Sequence, residues 1–176
     1  MKAVIVTNVL LVANGQHEDV SSSCMVECVS RLEAMMRSGV TVIDDGFLIC
    51  GEYLHKTSIN PPKGAGDIFL KWLLREAGNP QKVQQVSLTV KAKDNFVEFP
   101  DPVLAKKFDA PDRKFAAVAN AHPDKPPIWQ SADCKWLDWW PALKSKGISV
   151  DFLCPDDVCS FYVKKFPRKS RPELPS

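Results

Sequence analysis

Residues 2–6 (KAVIV) are apolar on consecutive positions after the first and rich in β-branched side chains. A strand with one wet face alternates apolar and polar residues. A run without alternation needs cover on both faces, which in a small protein means helices above and below. Residues 40–43, 127–130 and 149–153 supply further short strand candidates, each preceded by a segment of helical character. Strands separated by helices join in parallel through right-handed crossovers. The expectation is therefore an α/β fold, a parallel sheet of about four strands sandwiched by helices.

The intervening segments carry helix signals. Ser21, Ser22 and Ser23 offer N-caps for a helix over residues 24–37, where Met25, Val29, Leu32 and Met36 follow the 3.6-residue period until Gly39. Asp44, Asp45 and Gly46 turn the chain into a helix over residues 47–55. A Pro/Gly-rich loop at 60–66 precedes a helix over 67–77, with Ile68, Trp72 and Leu73 expected inward and Lys71 and Arg75 outward. Residues 86–90 read as a strand and 91–95 as solvated. Asp109 and Pro111 suit the first turn of a helix that passes through Phe115 and Ala119 and stops at His122-Pro123. Residues 134–145 form the next. One domain is expected over residues 1–160. Regular order is expected to end after Pro155, with 161–176 a basic, Pro-containing tail.

At 176 residues with a net charge of +2, the chain supports one substantial core and carries no global field for polyanions; any such binding must come from a local patch. Six cysteines (Cys24, Cys28, Cys50, Cys134, Cys154 and Cys159) are even in number, but a disulfide framework requires secretion. Residues 1–13 imitate a short leader, yet Thr7 and Asn8 interrupt the apolar run and its removal would delete the best strand. The expectation is a cytoplasmic protein with reduced, buried cysteines. Their spacings match no zinc motif, and no segment approaches the roughly 20 apolar residues of a membrane span.

Reactive groups in open parallel sheets gather beyond the carboxyl ends of the strands. Glu52 follows the second strand, Asp109 and Asp112 open the helix before the third, Asp133 lies just past it, and Asp138 stands further along. Three carboxylates aimed at one edge repel each other unless a hard divalent cation, Mg²⁺ or Mn²⁺, joins them, and such an ion serves phosphodiester chemistry. Each residue also has a purely structural reading: Asp109, Asp112 and Asp133 as helix caps or dipole partners, Glu52 as an exposed helical glutamate.

Four segments in order, VIVTNVLL (4–11), DDGFLICGEY (44–53), FDAPDRKFAAVANAH (108–122) and QSADCKWLDW (130–139), make residues 1–155 resemble the PIN-domain nucleases. The resemblance implies a Mg²⁺- or Mn²⁺-dependent endoribonuclease, often the toxin of a toxin–antitoxin pair and restrained by an inhibitor protein. It implies that Glu52, Asp112 and Asp133 bind metal and activate water, with Asn8, Asp109 and Asp138 in support. One departure stands out. Where the family's first motif carries Asp before Thr-Asn, this chain has Val6, which offers no oxygen to a cation and leaves the site slowed or inactive.

A non-catalytic RNA- or protein-binding module is the alternative. Lys164, Lys165, Arg168 and Lys169, with Arg171, form a basic run able to track phosphates, though such a run is equally a solvated terminus. Trp129, Trp136, Trp139 and Trp140 fall within twelve positions, and Trp136 with Trp140 share a helix face suited to a homodimer contact or to the core.

Overall fold

In the computed structural model, which describes residues 1–176, seven strands form: β1 (Lys2–Ile5), β2 (Val40–Asp44), β3 (Val83–Val86), β4 (Val90–Ala92), β5 (Asn95–Phe96), β6 (Ile128–Gln130) and β7 (Val150–Phe152). Five of them make one parallel sheet in the order β3-β2-β1-β6-β7, and β4 and β5 make a separate antiparallel hairpin. The helices are α1 (Thr7–Ala13), α2 (Ser22–Ser38), α3 (Leu48–Lys56), α4 (Ala65–Glu76), α5 (Pro102–Ala105), α6 (Arg113–Ala121), α7 (Trp136–Ser145) and α8 (Pro155–Lys165). The fold is the expected α/β type with one more strand than the sequence indicated. The extra strand, β3, lies at the sheet edge and ends at Val86, where the apolar pattern had placed a strand's beginning.

β1 is the middle strand, and Ala3, Val4 and Ile5 are wholly buried, as the absence of alternation required. The chain winds from β1 through β2 to β3 on one side, then returns to lay β6 and β7 on the other. The order reverses between β1 and β6, which pair through Val4 with Ile128 and Ile5 with Trp129. In open parallel sheets the crevice beyond the carboxyl ends at such a reversal is where ligands are held.

Around the sheet, α1, α2 and α4 pack on one another and α6 lies against β1, β2 and β6. The buried face of α2 is Cys24, Cys28, Leu32 and Met35, one position off the expected stripe, and Met25 is exposed. In α4 the inward residues are Phe69, Leu70 and Leu73, while Ile68 is 53% exposed. Gly66 lets α4 touch α1: a Cβ there would stand 2.2 Å from the Leu10 carbonyl oxygen. Beside it the buried Asp67 carboxylate accepts from Asn14 Nδ2 and the Ser58 and Lys63 amides, tying the end of α1 to α4.

The tryptophans belong mainly to the core. Trp129, Trp136 and Trp139 are buried, and Phe108 packs edge-on to Trp136 and stacked on Trp139. Trp140 donates its indole N–H to the Glu173 carbonyl, so Trp136 and Trp140 form no shared outer face.

The C-terminal segment corrects the sequence reading most. Order continues past Pro155 as α8, with proline at its first turn, Asp156 and Asp157 near its start, Lys164 and Lys165 at its end, and Val158 and Tyr162 buried. Residues 166–176 have no regular structure, yet Leu174 packs against the cluster beneath α8. Two of the cysteines expected to be reduced are joined: Cys24 at the start of α2 is disulfide-bonded to Cys154 at the cap of α8. Ser21 donates its amide and hydroxyl to Asp157 at the same place, so α8 is fastened to α2 at its N-terminal end. Cys28, Cys50 and Cys134 are free and buried. No helix is long and apolar enough to cross a membrane.

Candidate active site

The carboxyl end of β1 runs through Val6 into α1, which presents Thr7 and Asn8; the carboxyl end of β6 runs into Gln130, Ser131, Ala132 and Asp133. These two strand ends lock together. Asn8 Nδ2 donates to Gln130 Oε1, and Asn8 Oδ1 accepts from the Ser131 hydroxyl at 2.9 Å. Gln130 Oε1 also accepts the Asp133 amide at 3.3 Å, fixing the turn that carries the Asp133 carboxylate. Gln130 is completely buried, and its Nε2 has no hydrogen-bond partner. Asn8 thus orients the strand ends rather than a carboxylate.

Glu52 comes from α3 and Asp112 from the single 3-10 turn Ala110–Asp112 that opens α6. Both arrive at this edge, and they are treated differently there. Glu52 accepts from the Thr7 hydroxyl on one oxygen and is ion-paired with Lys114 on the other. Lys114 is only 7% exposed and also donates to the Pro111 carbonyl. The Asp112 carboxylate has no hydrogen-bond donor of its own. Burial first, then the charges of Asp133, Glu52 and Asp109, push its carboxyl up to about 7. Burial likewise raises Asp133, against the pull of the Lys135 amide and ammonium.

The remaining expected residues separate. Asp109 caps no helix; its carboxylate pairs with Lys135, whose pKa is raised chiefly by that hydrogen bond. Asp138 lies away from the site, accepting from Tyr162 at 2.6 Å with Lys169 at 3.7 Å, so it supports α8. Lys169 is drawn off with it over the Phe166 ring, whereas Lys164 and Lys165 line a cleft of about 640 Å³ with Asn8, Asp133, Lys135 and His17. Arg168 is exposed beyond the end of α8. Phe161 stacks on His17 across that cleft, ring centroids 5.7 Å apart.

Four participants were absent from the sequence reading: Thr7, Lys114, Gln130 and Lys135. All four lie inside the segments that carry the resemblance, and Lys114 stands two positions after Asp112. A search for carboxylates alone passes over the cations that neutralise them.

The donor chemistry suits a hard divalent cation: carboxylates gathered at one edge, one of them without a hydrogen-bond donor and with its carboxyl pushed up by burial and by like charge. The fit is looser than a closed triad. The three side chains whose ligand atoms all lie within 4.8 Å of one another are Cys24, Cys28 and Cys154, not the acids. Lys114 neutralises Glu52 directly through their ion pair. Lys114→Met should therefore lower stability by about 2 kcal/mol, by leaving Glu52 without its charge partner. The same change should tighten Mn²⁺ binding; urea unfolding and a Mn²⁺ titration read the two effects.

Comparison with protein-family models, with curated proteins and with solved structures returned no match to this chain.

Proposed function

We propose that this chain is a metal-dependent endoribonuclease whose working carboxylates are Asp112 and Asp133. The observation that carries the reading is their convergence, from two distant segments, at the β1/β6 reversal with the Asp112 carboxylate unbonded and crowded by like charge. Mg²⁺ or Mn²⁺ bound there supplies positive charge against the phosphate and acidifies water. Asp112 and Asp133 hold it. Asn8, Ser131 and Gln130 fix the strand ends that set Asp133, while Thr7 and Lys114 hold Glu52 in place. Lys135, Lys164 and Lys165 draw the phosphate backbone into the cleft, where a base can stack against the His17–Phe161 pair.

Val6 limits the rate. It is the N-cap residue of α1, in extended conformation with no side-chain cap, and 3% exposed. Aspartate is favoured at such a position, so Val6→Asp supplies both a helix cap and the missing carboxylate. Inserting Asp before Thr7 instead displaces Thr7 and Asn8 from their partners. The test is cleavage of a single-stranded RNA in Mn²⁺ by the wild type, Val6→Asp and Asp133→Asn. The expected order is Val6→Asp fastest by about 10-fold or more, and Asp133→Asn inactive. Folded wild type and Val6→Asp that both leave RNA intact overturn the reading. The Glu52–Lys114 ion pair favours one second reading, a binding module in which lysine has taken over from metal; RNA binding indifferent to Mn²⁺, without cleavage, supports it.

A further inference from the structure

A second cavity, of about 450 Å³, shares no residue with the lysine cleft and reaches Arg113, the neighbour of Asp112 in the chain. It is built from the β4–β5 hairpin, α5 and Arg113. Three of its lining residues are cations, Lys91, Lys106 and Arg113, and none is a carboxylate; Phe96, Val97 and Phe99 give it an apolar floor. For a chain with a net charge of only +2, this is a concentrated positive patch. Arg113 follows Asp112 directly. It donates to Asn95 Oδ1 at 2.6 Å, and its Nε is buried without a partner. Val90 and Val97 on the hairpin are 58% and 54% exposed, apolar surface that the chain itself leaves uncovered.

We infer that this cavity is a second RNA subsite, holding the nucleotide on the opposite side of the scissile phosphate from the Lys164–Lys165 cleft. The inference rests on the nuclease reading for its direction: the strand enters over α8, passes Asp133 and Asp112, and leaves across the hairpin. Cations without carboxylates select a polyanion, and the apolar floor beneath them suits the face of an unpaired base. The hairpin and α5, which contribute little to the sheet, thereby acquire a role.

The experiment is fluorescence anisotropy of a labelled single-stranded RNA with metal-free full-length protein over a salt series. It compares wild type, Lys91→Ala/Lys106→Ala, and a control pair, Lys71→Ala/Lys146→Ala. The first pair is expected to weaken binding about 10-fold near physiological salt and to flatten the log–log salt slope by about 1.4, with the control unchanged. Cleavage by Lys91→Ala/Lys106→Ala should show a raised KM with kcat retained. Unchanged affinity and slope, or losses equal to those of the control, overturn the subsite. Wild type and Val6→Asp that both cut nothing, while Lys91→Ala/Lys106→Ala shows the expected loss of affinity and slope, overturn the nuclease reading and leave the subsite standing. Wild type that cuts RNA with KM insensitive to the pair does the reverse.

Discussion

Asp112→Asn is expected to do two opposite things: abolish RNA cleavage, by about 100-fold or more, and make the metal-free protein more stable at pH 8 by roughly 3 kcal/mol. Both follow from one circumstance. The carboxyl is half-buried beside Asp133, Glu52 and Asp109 and is pushed up to about 7 in the folded chain, against an ordinary value of 3.8. A group whose folded pKa is raised favours folding in its protonated form. Below about pH 4 that contribution is complete. Between about 4 and 7 the unfolded chain releases the proton while the folded chain keeps it, so stability falls as pH rises, and above 7 the loss is complete. Asparagine has no proton to release, so the variant should lack this slope. Urea unfolding at pH 5 and pH 8 without divalent cations reads the effect. Equal pH dependence in wild type and Asp112→Asn contradicts the crowded site, whatever the activity shows.

Gly66→Ala is the second large effect, and its sign is the informative part. Inside an exposed helix, alanine for glycine gains up to about 1 kcal/mol. Here the new methyl would sit 2.2 Å from the Leu10 carbonyl oxygen and 2.8 Å from its carbon, both backbone atoms of α1. A flexible side chain could swing away; a helix backbone cannot. The expected cost is about 3 kcal/mol, or on the order of 10 °C in Tm for a domain of this size. The damage should also reach the site, because α1 carries Thr7 and Asn8 at its other end. Thermal melting checks the first part, and loss of RNA cleavage beyond the loss of folded protein checks the second. A variant as stable as the wild type shows that α1 and α4 do not touch.

Much of this was legible in the residues, and the failures have physical causes. The three inner strands, β1, β2 and β6, announced themselves because burial on both faces demands consecutive apolar residues, and β7 at the other edge keeps Val150, Phe152 and Leu153. β3 reads VQQV and lies at an edge, where one side of the strand stays wet and glutamine is tolerated. The faces of α2 and α4 were misjudged because cysteine, methionine and valine populate several sides of α2, and periodicity gives spacing without phase. Pro155 reads as a stop from sequence, whereas proline is equally at home in a first helical turn, with Val158 and Tyr162 one turn apart behind it. At the site, chain order places Asp112 before α6 and Asp133 after β6, both toward the carboxyl edge of the sheet. It ranks Asp138 below Asp133 but could not show what Asp138 does, since only its pairing with Tyr162 reveals that it serves α8. Nor could it foresee Lys114, because cations within a carboxylate cluster are decided by three-dimensional charge balance.

The pairing of the first strand with β6 also governs timing. Asn8 and Gln130, which hold the two strand ends together, are 122 residues apart in the chain. Both residues must be synthesised before the two strand ends can close on each other, and α8, which begins at Pro155, emerges later still. Closing so long a loop is slow compared with local helix formation. The edge where β1 meets β6 is thus among the last parts of the sheet to assemble, after the local helices have formed.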